Sequence, residues 1–329
     1  MEKKQDNLME ISDLTVRYNT DDAVVHAVND FNLNLVRGEA RGLVGETGAG
    51  KTTLALSILR LLPERVGEVT GGSIVYDGQE LLNLPEAEML PLRGKRISMI
   101  FQDPMTSLNP TQTVGDQILE VLNLHFPEMT RDEKNKRVDE MMTLVGIPPQ
   151  RKKSFPHEFS GGMKQRVVIA MALVAEPELL LADEPTTALD VTIQAQILEL
   201  MKQLREKFNT SVMLITHDLG VVAQFCDSVS VVYAGRVVEY GPVEVVFQRK
   251  ENHPYTAGLF NCIPNLHDDQ PRLHPIAGHM ADPRVEYKGC CFADRCEYAT
   301  ERCRTEAPSM HVCGEHGIMC HRYAEKEEF

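Results

Sequence analysis

Eight consecutive residues, Gly45, Glu46, Thr47, Gly48, Ala49, Gly50, Lys51 and Thr52, carry two glycines with four residues between them, followed by a lysine and a hydroxyl residue. Glycines at these points let the backbone turn its N–H groups toward a phosphate. Lys51 adds a point charge for the outer phosphates, and the Thr52 hydroxyl, with Thr53 beside it, is suited to ligating magnesium. A second group of residues complements the first. The apolar run LLLADEP delivers Asp183, whose carboxylate would face the metal, and then Glu184, placed to orient an attacking water. Together the two groups specify transfer of a phosphoryl group from a nucleoside triphosphate to water.

These residues need rigid elements to hold them. ARGLVG reads as a buried strand, and Thr52 to Leu62 carries an apolar stripe at helical spacing that stops at Pro63, so strand, loop and helix follow in order. Glu178 to Ala182 and Ser211 to Thr216 are continuous apolar runs of strand length separated by the amphipathic segment VTIQAQILELMKQLREKF, which predicts buried parallel strands with a helical crossover. The segment from Met9 to about Asn34 reads as short strands broken by a polar run at 19–22. Gly71-Gly72 and Asp77-Gly78 punctuate another pair of strands, and RISMIFQ supplies a further apolar strand. Residues from about 103 to 173 read as mainly helical, and Ser228 to Tyr233 with Arg236 to Tyr240 read as a closing hairpin. Prolines 254, 264, 271, 275 and 283 then change the texture, which sets a domain boundary near residue 250.

Composition narrows the function further. Lys and Arg number 34 against 48 Asp and Glu, a formal charge of -14, so nucleic acid is not the expected partner. The N-terminal stretch has no apolar signal core, and the longest apolar run, Val167 to Ala175, falls far short of the roughly 20 residues a spanning helix needs. A soluble chain in the cytoplasm is the expectation. Six of the eight cysteines, Cys290, Cys291, Cys296, Cys303, Cys313 and Cys320, crowd the C-terminal segment. In a reducing compartment such density points to a metal centre, either zinc or an iron-sulfur cluster, rather than to disulfides.

With these motifs in order, the sequence resembles the ATP-binding-cassette family over roughly its first 250 residues. FSGGMKQR, with Ser160, Gly161 and Gly162, is similar to the family signature, which caps the γ-phosphate of a nucleotide held by the opposing subunit. Met163 stands where the family usually has glutamine, a departure associated with peptide-type importers. By the same resemblance Gln102 touches magnesium and reports to the membrane subunit, and His217 contacts the γ-phosphate. Asp190 lies in the loop crossing the dimer interface, and Tyr18 stacks on adenine.

The C-terminal segment resembles that of the dipeptide and oligopeptide importer ATPases, both in HPYTAGLF (His253 to Phe260) followed by IPNL and in the pattern GCxFxxRCxxAxxxC with a later Cys-His. That resemblance implies a 4Fe-4S cluster on Cys290, Cys296, Cys303 and Cys320, with zinc as the rival. Cys291 replaces a common proline, Cys313 is an extra thiol, and IAGHMADP replaces the usual IPGxxP.

The fold implied is a phosphate-loop α/β core with a mixed sheet over 1–250, an inserted helical subdomain at about 103–173, and a small cysteine-rich extension over 251–329. The function implied is ATP hydrolysis, with Mg2+, that powers a di- or oligopeptide importer from the cytoplasmic face of the membrane. Its partners would be a homologous second ATPase subunit, two membrane-spanning permeases and an extracytoplasmic solute-binding protein. An importer of nickel, glutathione or another small solute is the alternative. A soluble cassette ATPase acting on ribosomes or DNA is disfavoured by the acidic balance and by the lack of a second cassette.

Overall fold

The computed structural model describes residues 6–187, 189–248, 250–262, 275–324 and 326. IPNL and the prolines at 264 and 271 lie outside the described residues. The chain forms two compact units. One comprises Met1–Leu8, Leu35–Ala40 and Asn83–Ile215, and the other Met9–Asn34, Arg41–Leu82 and Thr216–Phe329.

In the first unit, strand Leu179–Asp183 pairs in parallel with Ile97–Ile100 on one side and with Ser211–Thr216 on the other. All five of its residues are buried, which explains an unbroken apolar run instead of alternation. The strand begins one residue later than the sequence pattern suggests. Glu178, just before it, is instead held by the Arg96 and Arg37 guanidinium groups, each at 2.7 Å, and these bonds lower its carboxyl below the usual range.

Helices Pro104–Ser107, Val114–His125, Arg131–Leu144 and Gly161–Leu173 lie between the strands, and Val191–Phe208 connects two of them. Thr113 caps one helix by accepting from Asp116 N–H, and Thr130 and Glu133 form a reciprocal capping box on the next. No described helix is long and apolar enough to cross a membrane.

The second unit contains an antiparallel sheet in the order Val24–Val36, Asn7–Asn19, Gly67–Tyr76, Gln79–Glu80. Gly71-Gly72 does not separate two strands as the sequence suggests but sits within one. The partner strand bulges between Ser12 and Thr15, and a Cβ on Gly72 would lie 2.5 Å from the Asp13 backbone.

A second group of strands runs from Ala40–Val44, parallel to Ser228–Tyr233, through the antiparallel Arg236–Pro242 to His316–Ile318 and His311–Cys313. The C-terminal segment therefore contributes two strands of its own to this sheet, which the sequence pattern does not reveal. Its attachment is polar as well as apolar. Glu239, fully buried, accepts bonds from Asn252 Nδ2, His253 N–H and His316 Nε2, each at 2.8 Å, while Ile318, Cys320 and Tyr323 pack together beneath. Three donors around one carboxylate satisfy a charge that would otherwise be costly to bury.

Candidate functional site

Strand Ala40–Val44 leads into the glycine-rich loop, and Gly50 closes that loop as the N-cap of helix Lys51–Ile58. The helix ends at Ile58, short of Pro63, because Arg60 enters the left-handed region with φ 52°. Gly50 has φ 94°, and a Cβ there would fall 2.1 Å from the Ala27 carbonyl oxygen, so only glycine fits. Gly48 also has a positive φ, 82°, but open space around it.

Lys51 is 6% exposed, and its Nζ donates to the carbonyls of Gly45 (2.7 Å) and Glu46 (3.0 Å), which folds the ammonium back across the loop. Thr47 and Thr52 are exposed and Ala49 is buried. The Tyr18 hydroxyl donates to Thr53 Oγ1 at 3.2 Å, so this ring lies beside the first turn of the helix. His217 is exposed directly after a buried strand, and the cap of the following helix is Asp218, which accepts from Gly220 and Val221 N–H.

Asp183, Glu184, Gln102, Ser160, Gly161, Gly162 and Asp190 belong to the first unit. Asp183 is buried at the C-terminal end of its strand. Glu184, the next residue, has φ 47°, and its N–H is fixed to the Ile215 carbonyl at 2.8 Å. This left-handed step breaks the strand's alternation and frees the Glu184 side chain from the core. One of its carboxylate oxygens accepts from Gln102 Nε2 and from Thr187 Oγ1, both at 2.9 Å. Gln102 and Glu184, 82 residues apart, are thus joined directly.

Ser160 is the N-cap of helix Gly161–Leu173 but makes no side-chain bond to it, and both Ser160 and Gly161 are exposed. This helix start is therefore open to solvent at Ser160 and Gly161, with Gly162 half-buried, and free first-turn N–H groups of a helix are in general able to donate to an anion. Met163 sets its sulfur 3.6 Å from the Arg151 guanidinium. Asp190 is committed locally, because its carboxylate accepts from Ile193 N–H at 3.0 Å and caps helix Val191–Phe208.

Cys290, Cys296, Cys303 and Cys320 line one pocket, together with His321 and Arg322. Burial and then the neighbouring thiols push Cys290 up to about 11, and burial raises Cys296 and Cys320 as well. Among the described residues, no three His, Cys, Asp or Glu side chains converge closely enough to chelate a single ion. Cys291 points elsewhere, its Sγ 3.8 Å from the Tyr233 carbonyl, and Cys313 ends an edge strand.

Arg295 and Tyr255, to which the sequence pattern assigned no role, both reach Glu46. Their only signal was position, since each lies inside a peptide-importer-like segment.

The family description "ABC transporter" matches residues 28–187, and "Oligopeptide/dipeptide transporter, C-terminal region" matches 238–303. The oligopeptide transport ATP-binding protein OppD of Haemophilus influenzae is 47% identical over 326 residues, covering 98% of each chain. OppD of Salmonella typhimurium is 50% identical over 303 residues, covering 92% of this chain and 89% of its own. Among solved structures, the dimeric post-hydrolysis state of the ATP-binding cassette MJ0796 bound to ADP and Pi superposes with a TM-score of 0.64 at 28% identity, covering 71% of this chain and 98% of that one. A glycine loop seated between strand and helix, a carboxylate pair at the end of a buried strand, and matches spanning nearly the whole sequence lead to one conclusion: the chain belongs to the ATP-binding subunits of the ABC transporter family, in the branch defined by the oligopeptide/dipeptide C-terminal region.

Proposed function

We propose that this protein is the subunit that binds and hydrolyses ATP to drive an oligopeptide importer, docked on the cytoplasmic side of membrane-spanning permeases. The single observation that carries the reading is near-full-length identity to OppD proteins in a chain that retains the phosphate loop and both Asp183 and Glu184. The cassette occupies 1–250, with residues 103–173 as an inserted helical subdomain, and 251–329 form an extension.

Glu184 orients the attacking water and takes its proton. Lys51 and His217 face the charge that builds on the transferring phosphoryl group. Thr52, Gln102 and Asp183 offer the hard oxygens that would hold Mg2+, whose charge offsets that of the phosphates. Tyr18 supports the adenine end. Ser160, Gly161 and Gly162 cap the nucleotide of a homologous partner subunit, with Asp190 at that interface, so that ATP closes the pair and hydrolysis reopens it. A solute-binding protein delivers the peptide.

Reconstitution with the permease subunits in vesicles tests this directly. ATP supplied on the side of this subunit is expected to drive uptake of a labelled oligopeptide. Uptake of nickel or glutathione, with none of peptide, would overturn the peptide assignment.

The four cysteines that line one pocket supply the thiolates a 4Fe-4S cluster would use, with zinc as the rival. A single zinc takes its sulfurs at about 2.3 Å from one point. A cluster instead accepts one thiolate on each of several irons. Cys290, Cys296, Cys303 and Cys320 would hold it, and it would tie the strands and turns of the extension together. Anaerobically purified protein is expected to absorb broadly near 400 nm with about four irons per chain, and Cys290→Ser is expected to lose both. Stoichiometric zinc, or protein with no metal, would refute the cluster.

A further inference from the structure

The Glu46 peptide is a hub within the glycine-rich loop. Its carbonyl accepts from Lys51 Nζ, its N–H donates to the Tyr255 hydroxyl at 2.9 Å, and its carboxylate takes both arms of the Arg295 guanidinium at 2.7 and 3.2 Å. Two of these three anchors come from the C-terminal segment, and one of them, Arg295, lies 249 residues away in sequence.

The Arg295 side chain is only 5% exposed, although it carries a fixed charge. A guanidinium in that setting needs a partner, and its planar fork matches a carboxylate in one orientation, so the pair fixes direction as well as distance. The rest of the guanidinium is also anchored, with Nε donating to the Ala277 carbonyl at 3.1 Å.

The surroundings are stiff. Tyr233, Tyr255 and Phe292 pack ring against ring at 4.7 to 5.5 Å, and Tyr255 is fully buried. Phe292 also lines the cysteine pocket, and Arg295 immediately precedes Cys296 on the turn Ala293–Arg295. A single packed path therefore runs from the pocket wall to the second residue of the phosphate loop.

We propose that Arg295 and Tyr255 are positioning residues for ATP binding: by holding Glu46 through its carboxylate and its N–H, the cysteine-bearing extension sets the affinity of the loop for nucleotide phosphates. This rests on reading the chain as an ATPase. The loop binds phosphate through backbone N–H groups whose directions must be fixed beforehand, so releasing Glu46 leaves the ordering cost to be met on binding. Neither residue touches the reacting atoms, so the chemical step itself is little affected.

The full-length chain with Mg2+ and the fluorescent nucleotide N-methylanthraniloyl-ATP tests the proposal. Arg295→Ala is expected to raise Kd by about tenfold, within the usual range of coupling between sites. Hydrolysis at saturating ATP should stay within about twofold, because the groups that act in the transition state are untouched. Glu46→Gln should weaken binding similarly, and the double variant should be no worse than either single one. Arg295→Lys, which keeps the charge but loses the fork, should recover only part of the affinity.

A purely structural role would lower the melting midpoint without changing the Kd of the folded protein. That result, or additive effects in the double variant, would overturn the proposal. Should Arg295→Ala fail to fold, an unchanged Kd in both Glu46→Gln and Arg295→Lys would overturn it equally. A wild-type chain that does not bind the nucleotide at all would overturn the ATPase reading itself, which separates the two failures.

Discussion

Glu184→Gln is expected to reduce steady-state ATP hydrolysis by about 100- to 10,000-fold, the usual contribution of a positioned general base, while ATP still binds. The local geometry explains why so small a change isolates the chemistry. The Glu184 N–H stays bonded to the Ile215 carbonyl, and one side-chain oxygen accepts from both Gln102 and Thr187. A glutamine carbonyl oxygen keeps both of those bonds and the same volume but does not accept a proton from water. ATP should therefore accumulate unhydrolysed and hold the partner subunits closed. Phosphate release measured alongside size-exclusion chromatography in ATP checks both halves. Turnover within tenfold of wild type would remove Glu184 from the role.

Gly50→Ala is expected to weaken ATP binding by at least about 100-fold, whereas Gly48→Ala should cost about tenfold or less. Both glycines have positive φ, so a side chain is strained at either place by roughly 1–2 kcal/mol. They differ in what surrounds them. A Cβ on Gly50 meets the Ala27 carbonyl oxygen at 2.1 Å, and that oxygen is backbone of a strand, whereas a Cβ on Gly48 meets nothing within 4 Å. Gly50 also caps the helix that begins at Lys51, so a displaced loop would carry the ammonium away from the Gly45 and Glu46 carbonyls it bridges. Isothermal titration with ATP, with circular dichroism as a check on folding, measures the difference. Equal losses at the two positions would show that strain alone governs the loop.

Much of the candidate site was legible because its parts are local. The phosphate loop needs only a few residues between a strand and a helix, and the run before Asp183 is apolar because both faces of that strand are buried. Element ends were less legible. Ser211 to Thr216 agreed with the pattern, but the helix after the loop stopped at Ile58, ahead of Pro63, because Arg60 leaves helical geometry, a choice that no residue type at that position announces. Gly71-Gly72 read as a turn because glycine serves turns and close strand approach alike, and only the partner strand's bulge decides between them.

The sequence by itself determined the chemical groups: a glycine-rich loop ending in lysine and threonine, a carboxylate pair, a second helix that opens on Ser-Gly-Gly and a segment dense in thiols. Each is encoded by residue types a few positions apart, so backbone geometry carries the information. Tertiary structure alone decided how distant segments meet. It joined Gln102 to Glu184, seated Glu239 among Asn252, His253 and His316, and gathered four cysteines to one pocket while turning Cys291 toward a backbone carbonyl. It also set Arg295 on Glu46 across 249 residues. The physical reason is that a buried charge must find its partner in space, and which partner is near depends on how the sheet and the extension pack together.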